Sequence, residues 1–115
     1  MRFRIEFSAE AERDFALIFD HQFESYRSFG TRVEAALDHS EDRIRDIRQK
    51  ADRLDAALDC GERHDNLLPG LRHLTIDRAV YWLNVREAEQ RIRILALFFG
   101  GQDQFRHMLT RLLTP

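Results

Sequence analysis

Few residues in this chain are suited to chemistry. His73 and His107 lie in the stretch of expected strands and last helix and are the plausible general bases of that region near neutral pH. Arg72 stands beside His73, and Arg78, Arg91, Arg93 and Arg106 follow, so cations for a phosphate or carboxylate are available in the same region. Alternation puts Arg91 and Arg93 on one side of a strand, and with Arg72 and Arg78 they are expected to form a basic sheet face. His21, His39 and His64 fall in an expected helical hairpin or a charged linker, without close metal-ligand spacing. Cys60 is the one cysteine and adjoins Gly61, so no disulfide, cysteine cluster or activated thiol is expected. Gly100-Gly101 reads as a turn and no GxxxxGK[ST] string is present. No metal and no cofactor are expected.

These residues need elements to hold them. The 115 residues suit a single domain spanning 1–115, and 43% hydrophobic with 33% charged residues is globular composition. No apolar run reaches the roughly 18 residues of a membrane helix, and the alternating start is unlike a signal peptide, so no membrane partner and a cytoplasmic setting are expected. The net charge is −2, not the excess of cations typical of a general nucleic-acid binder. Of 18 cations, 17 are arginine, the residue suited to bidentate pairing at interfaces. Residues 60–115 carry net +2 and residues 1–59 net −4, so an anionic partner should meet the second half.

Residues 2–7 alternate, with Phe3, Ile5 and Phe7 on one face, which predicts a strand. Ser8 is an N-cap, with Glu10, Glu12 and Asp14 complementing the helix dipole, for a helix over about 9–28 that Gly30 ends. Thr31 and Glu34 have capping-box spacing. The second helix carries Leu37, Ser40, Ile44, Ile47, Ala51, Leu54 and Leu58 at steps of three and four, a seam that should run to a stop at Cys60-Gly61. A charged linker, Glu62 to Asn66, follows. Segments 71–76, 79–86 and 91–99 then read as strands joined by short turns, with Tyr81 and Trp82 as core or strand-edge residues. The last strand passes from alternation at Arg91–Ile94 to a wholly apolar run at Leu95–Phe99, which predicts burial on both faces of its end. Asp103 is placed to cap a final helix to about Leu113. The fold class is α+β, ordered β-α-α-β-β-β-α: a small, mostly antiparallel, four-stranded sheet with a helical hairpin against it and a C-terminal helix.

That order and three local strings resemble the RelE/ParE toxin family of bacterial type II toxin–antitoxin modules. The string from Arg4 to Phe15 is similar to the family's first strand and helix start, and Leu68-Pro69-Gly70-Leu71-Arg72 to its approach to the second strand. Arg91-Ile92-Arg93-Ile94-Leu95, followed by Gly100-Gly101-Gln102-Asp103, is similar to its last strand and turn. The resemblance implies a toxin silenced by a cognate antitoxin. Two activities divide the family: RelE-like members cut mRNA on the ribosome, and ParE-like members poison DNA gyrase without a known catalytic site. The nuclease needs a base for the 2′-hydroxyl, a cation for the phosphate and an acid for the leaving oxygen. Here the family's third-strand arginine falls near apolar Val80, its post-strand His or Arg is replaced by Phe99-Gly100-Gly101-Gln102, and its last-helix tyrosine falls near His107-Met108. The expectation is therefore a ParE-like gyrase inhibitor. Arg72, Arg78, Arg91, Arg93 and Arg106 would contact antitoxin or target, and Arg72, His73 and His107 would be the site residues of the alternative ribonuclease. A degenerate member that only binds its antitoxin is the third reading.

Overall fold

Phe3, Ile5 and Phe7 have one apolar face to hide, and they hide it against the main core between sheet and helices. The computed structural model describes residues 3–100 and 104–113, so Arg2, Gly101, Gln102 and the expected helix cap Asp103 lie outside the described residues. Strand β1 (Arg4–Phe7) leads into helices α1 (Ala9–Ser28) and α2 (Val33–Lys50). Strands β2 (Glu62–Arg63), β3 (Leu71–Ile76), β4 (Ala79–Arg86) and β5 (Arg91–Phe99) follow, then helix α3 (Gln104–Leu113). The sheet order is β1-β5-β4-β3-β2, antiparallel except that β1 runs parallel to β5. The expected α+β architecture is observed, with five strands among the described residues instead of four. Glu62 and Arg63, read from sequence as linker, pair with His73 and Arg72 at the outer edge of β3.

Ser8 caps α1 as expected, its Oγ accepting the Ala11 N–H at 3.1 Å, and Ala11, Phe15 and Ile18 turn inward. Gly30 ends the turn at φ +85°, a conformation glycine adopts without steric cost. The Thr31–Glu34 capping box does not form: α2 starts after Arg32, with no side-chain cap. Thr31 belongs instead to the close of α1, donating its N–H to Tyr26 O and accepting from the Arg27 guanidinium.

The second helix is shorter than its apolar seam. It stops at Lys50, and the chain continues through tight turns at Ala51–Arg53 and Leu58–Cys60. Ala51, Leu54 and Leu58 are still buried, so the seam packs from Ser40 onward, though not as one helix; Leu37 at its start is exposed and Ala36 turns inward instead. Tyr81 occupies this end: its hydroxyl donates to Ile47 O at 2.6 Å, filling one of the carbonyls a helix C-terminus leaves open.

The sheet carries apolar residues on both faces. Tyr81, Leu83, Val85, Ile92, Ile94 and Leu97 join the helical hairpin in the larger core. Leu71, Val80, Trp82, Ala96 and Phe98 face the other way and are met by Met108 of α3. Period-2 alternation would keep Ile94 and Ala96 on one face; a bulge separates them. Trp82 pairs with Ala96 and Leu83 with Ile94, so Leu95 is the extra residue. The burial of the apolar end of β5 on both faces is as expected, and the bulge is what assigns each side chain to its face.

Where β1 ends, the backbone of Ser8 and then the side chain of Asp14 take over the edge of β5. The Ser8 N–H donates to Ile94 O, and the Leu97 N–H donates to Asp14 Oδ2 at 2.9 Å. Arg111 of α3 grips the same carboxylate through NH1 to Oδ2 and NH2 to Oδ1 at 2.9 and 3.0 Å. Asp14, read from sequence as a dipole-complementing charge, is a buried receptor for a strand edge and a helix.

Candidate functional site

The basic sheet face expected from Arg72, Arg78, Arg91 and Arg93 divides into three places. Arg91 and Arg93 stay together on the face away from the hairpin, opposite Arg86 and Asn84 of β4 and Arg4 and Glu6 of β1. Arg91 is held by Glu6 at 3.4 Å and Glu89 at 3.7 Å, and Arg86 donates to Asn84 Oδ1 at 3.1 Å. Arg93 is exposed. Arg4, Arg86, Arg91 and Arg93 thus form a basic strip at one end of the sheet.

Arg72 departs from that face because it is one residue out of phase. It pairs with Leu83, points toward the hairpin side, is buried, and donates through NH1 to Leu58 O at 3.2 Å. Arg78 sits in the β3–β4 turn at φ +73°, its guanidinium 5.3 Å from the centre of the Phe99 ring. The adjacent Asp77 is at φ +48° and pairs with Lys50. Positive φ at both central residues is the geometry a two-residue hairpin favours. Arg106 lies exposed on α3.

The two proposed general bases do not meet. His107 stacks on Phe98 at 6.0 Å between ring centres and lines a groove with Asp14, His21 and Arg111. His73 lies across the sheet, with β4 between its strand and β5, a separation of about 10 Å from strand to strand.

His73 instead has partners the sequence did not suggest. Its Nδ1 is 2.7 Å from His64 Nε2, and its Nε2 is 3.3 Å from Glu62 Oε2. The tautomers that satisfy both contacts have His64 donating to His73 and His73 donating to Glu62. Trp82 lies against both imidazoles, 4.9 Å from His64 and 4.7 Å from His73 between ring centres. Burial pushes the His73 pKa below that of a free imidazole; the Glu62 carboxylate acts against this and His64 adds to it. By sequence alone His64 falls in the charged linker, and its own sequence neighbourhood points nowhere else. The signal would have been a β2–β3 pairing, and two residues of strand are too short to see in a sequence.

A second surface is the groove between α1 and α2, lined by Phe15, Phe19, Ile44, Arg45 and Arg48. Arg48 spans it, bound in a fork to Glu12 at 3.0 and 2.9 Å and lying 4.2 Å from the centre of Phe15. Among the described residues no helix is long and apolar enough to cross a membrane.

No protein-family profile and no curated protein matches the chain. A solved structure does. A chain described as "Chromosomal ParDE TA system from P. aeruginosa" superposes with a TM-score of 0.60 at 20% identity, over 86% of this chain and 97% of that one. The likeness is one of fold, and the RelE/ParE-like fold expected from sequence is the one observed.

Proposed function

We propose that this chain is the toxin of a type II toxin–antitoxin pair, and that it acts by binding DNA gyrase, not by cutting RNA. The observation that carries the reading is the fold shared with a chain of a ParDE system across nearly the whole of both chains. The choice of binding over cleavage is supported by the separation of the nuclease candidates. Arg72 is committed beneath the sheet to Leu58 O, and His73 and His107 lie on different parts of the molecule. A phosphodiester needs its cation, base and acid within hydrogen-bond reach of one another's target atoms.

The antitoxin is proposed to lay an amphipathic helix along the groove between α1 and α2 and an extended acidic segment on the basic strip. Arg91 and Arg93 would be its charged anchors there, and Arg78 and Arg106 lie at the margins. The test is inducible expression, with growth, SOS response and mRNA integrity followed together. Filamentation with an SOS response, relieved by the adjacent antitoxin, and loss of supercoiling activity with purified toxin support the reading. Rapid translational arrest with cleaved mRNA overturns it, and absence of any arrest favours a degenerate antitoxin-binding member.

One observation favours the ribonuclease alternative: the His64–His73 hydrogen bond backed by Glu62 is a ready proton path. On the binding reading, His73→Ala combined with His107→Ala leaves toxicity intact. On the nuclease reading it abolishes toxicity.

A further inference from the structure

We propose that Glu62, His64 and His73 form a binding site for one divalent transition-metal ion, with zinc the best fit. The backbone sets the three side chains together. Glu62 is paired with His73 across β2 and β3, which places a carboxylate and an imidazole side by side. The His64 N–H donates to Leu71 O at 2.8 Å, extending that pairing by one step. Alternation along an extended segment then returns His64 to the face of Glu62 and His73.

One ligand atom from each residue lies within 4.8 Å of the other two. A tetrahedral zinc ion with bonds of about 2.0–2.2 Å holds its donors about 3.3–3.6 Å apart. His64 Nε2 and His73 Nδ1 stand at 2.7 Å and would open by about 0.6 Å to take an ion between them, while Glu62 Oε2, 3.3 Å from the other ring nitrogen of His73, would swing to the same ion. The imidazoles are packed against Trp82, whereas the Glu62 side chain is 69% exposed, so the carboxylate is the group free to close on an ion. The ion would replace the hydrogen bond between His64 Nε2 and His73 Nδ1, and water would take a fourth position on the open side.

The donor set selects the class of ion. Two imidazoles and one carboxylate suit zinc, nickel or copper(II), whereas magnesium and calcium require mostly oxygen donors. The ion would also have a structural effect. Strand β2 has two residues and ends the sheet, so a metal held by Glu62, His64 and His73 cross-links the edge to β3.

Trp82 is the only tryptophan and touches both imidazoles, which supplies the readout. Full-length, untagged protein is stripped with chelator and titrated with zinc chloride. Equilibrium dialysis should find one zinc per chain at micromolar free metal. Trp82 emission should change to saturation at one equivalent, and nickel or copper(II) should quench it. Thermal unfolding should move up by roughly 3–5 °C in excess zinc. His64→Ala should abolish binding and Glu62→Gln should weaken it about tenfold or more; magnesium should have no effect. Glu62→Gln alters an exposed side chain and keeps the test valid if His64→Ala fails to fold. No zinc bound at 100 μM, or one equivalent still bound to Glu62→Gln and His64→Ala with unchanged affinity, would overturn the proposal.

Discussion

Asp14 and Arg111, 97 residues apart, close a two-pronged ion pair that joins the first helix to the last, and the same carboxylate accepts the Leu97 N–H. Arg111 reaches one atom further, donating to Leu95 O at 3.3 Å, which also accepts from Ser8 Oγ at 3.3 Å. The carbonyl of the bulged residue Leu95 is therefore held by two side chains, and Asp14 holds the N–H of Leu97 two residues on. Hydrogen bonding to Asp14 raises the Arg111 pKa further, so the guanidinium keeps its charge at any ordinary pH.

Removing one partner should be costly because the other is left buried. Arg111→Ala is expected to destabilise the fold by about 3 kcal/mol. The double change Asp14→Ala with Arg111→Ala should cost clearly less than the sum of the single changes. Denaturant unfolding of the four proteins checks this, and strict additivity would mean that the pair is not coupled.

Tyr81 gives a pH dependence. Burial, reinforced by Asp46 and Asp77, raises its pKa well above that of a free phenol. In the unfolded chain the phenol ionises near pH 10. The folded protein holds the proton more tightly, so this stabilisation is complete below about pH 10 and is lost as pH rises toward the folded value. Tyr81→Phe should lose about 1–2 kcal/mol at neutral pH through the orphaned Ile47 carbonyl. Its stability should fall less than that of the parent between pH 10 and 11.5, which urea melts across that range can read.

Two positions of positive φ should respond in opposite directions. Gly70 sits at φ +82°, and a Cβ there would stand 2.6 Å from Val85 O, a backbone atom. Gly70→Ala should cost roughly 2–4 kcal/mol, combining strain with displacement of the β3–β4 pairing. Arg78 already bears left-handed strain in its turn. Arg78→Gly should gain about 0.5–1 kcal/mol after loss of its contact with Phe99. Thermal melts of both variants test the pair of signs.

The basic strip should matter to partners more than to stability. Arg91→Glu with Arg93→Glu should leave the melting temperature within about 2–3 °C of the parent. On the proposed function it should weaken binding of the antitoxin roughly 10- to 100-fold, chiefly through slower association at low salt. Surface-based binding kinetics at two ionic strengths separate the effects; unchanged affinity would place the antitoxin elsewhere.

Local pattern determined the elements. Phe3, Ile5 and Phe7 could bury one face only as a strand, Ser8 could satisfy an open helix N–H, and the seam from Ser40 to Leu58 had to pack on something. These follow from neighbours within a few residues, where side-chain spacing and backbone geometry are rigidly linked. Tertiary structure decided what depends on register between distant segments. It placed β1 beside β5, turned Ala96 away from Ile94 by a bulge at Leu95, and drew Arg72 under the sheet, out of the basic face. It brought Asp14 to Arg111 and His64 to His73. A shift of one residue in pairing reverses the face of every side chain along a strand, and no string of adjacent residues records which shift the folded chain adopts.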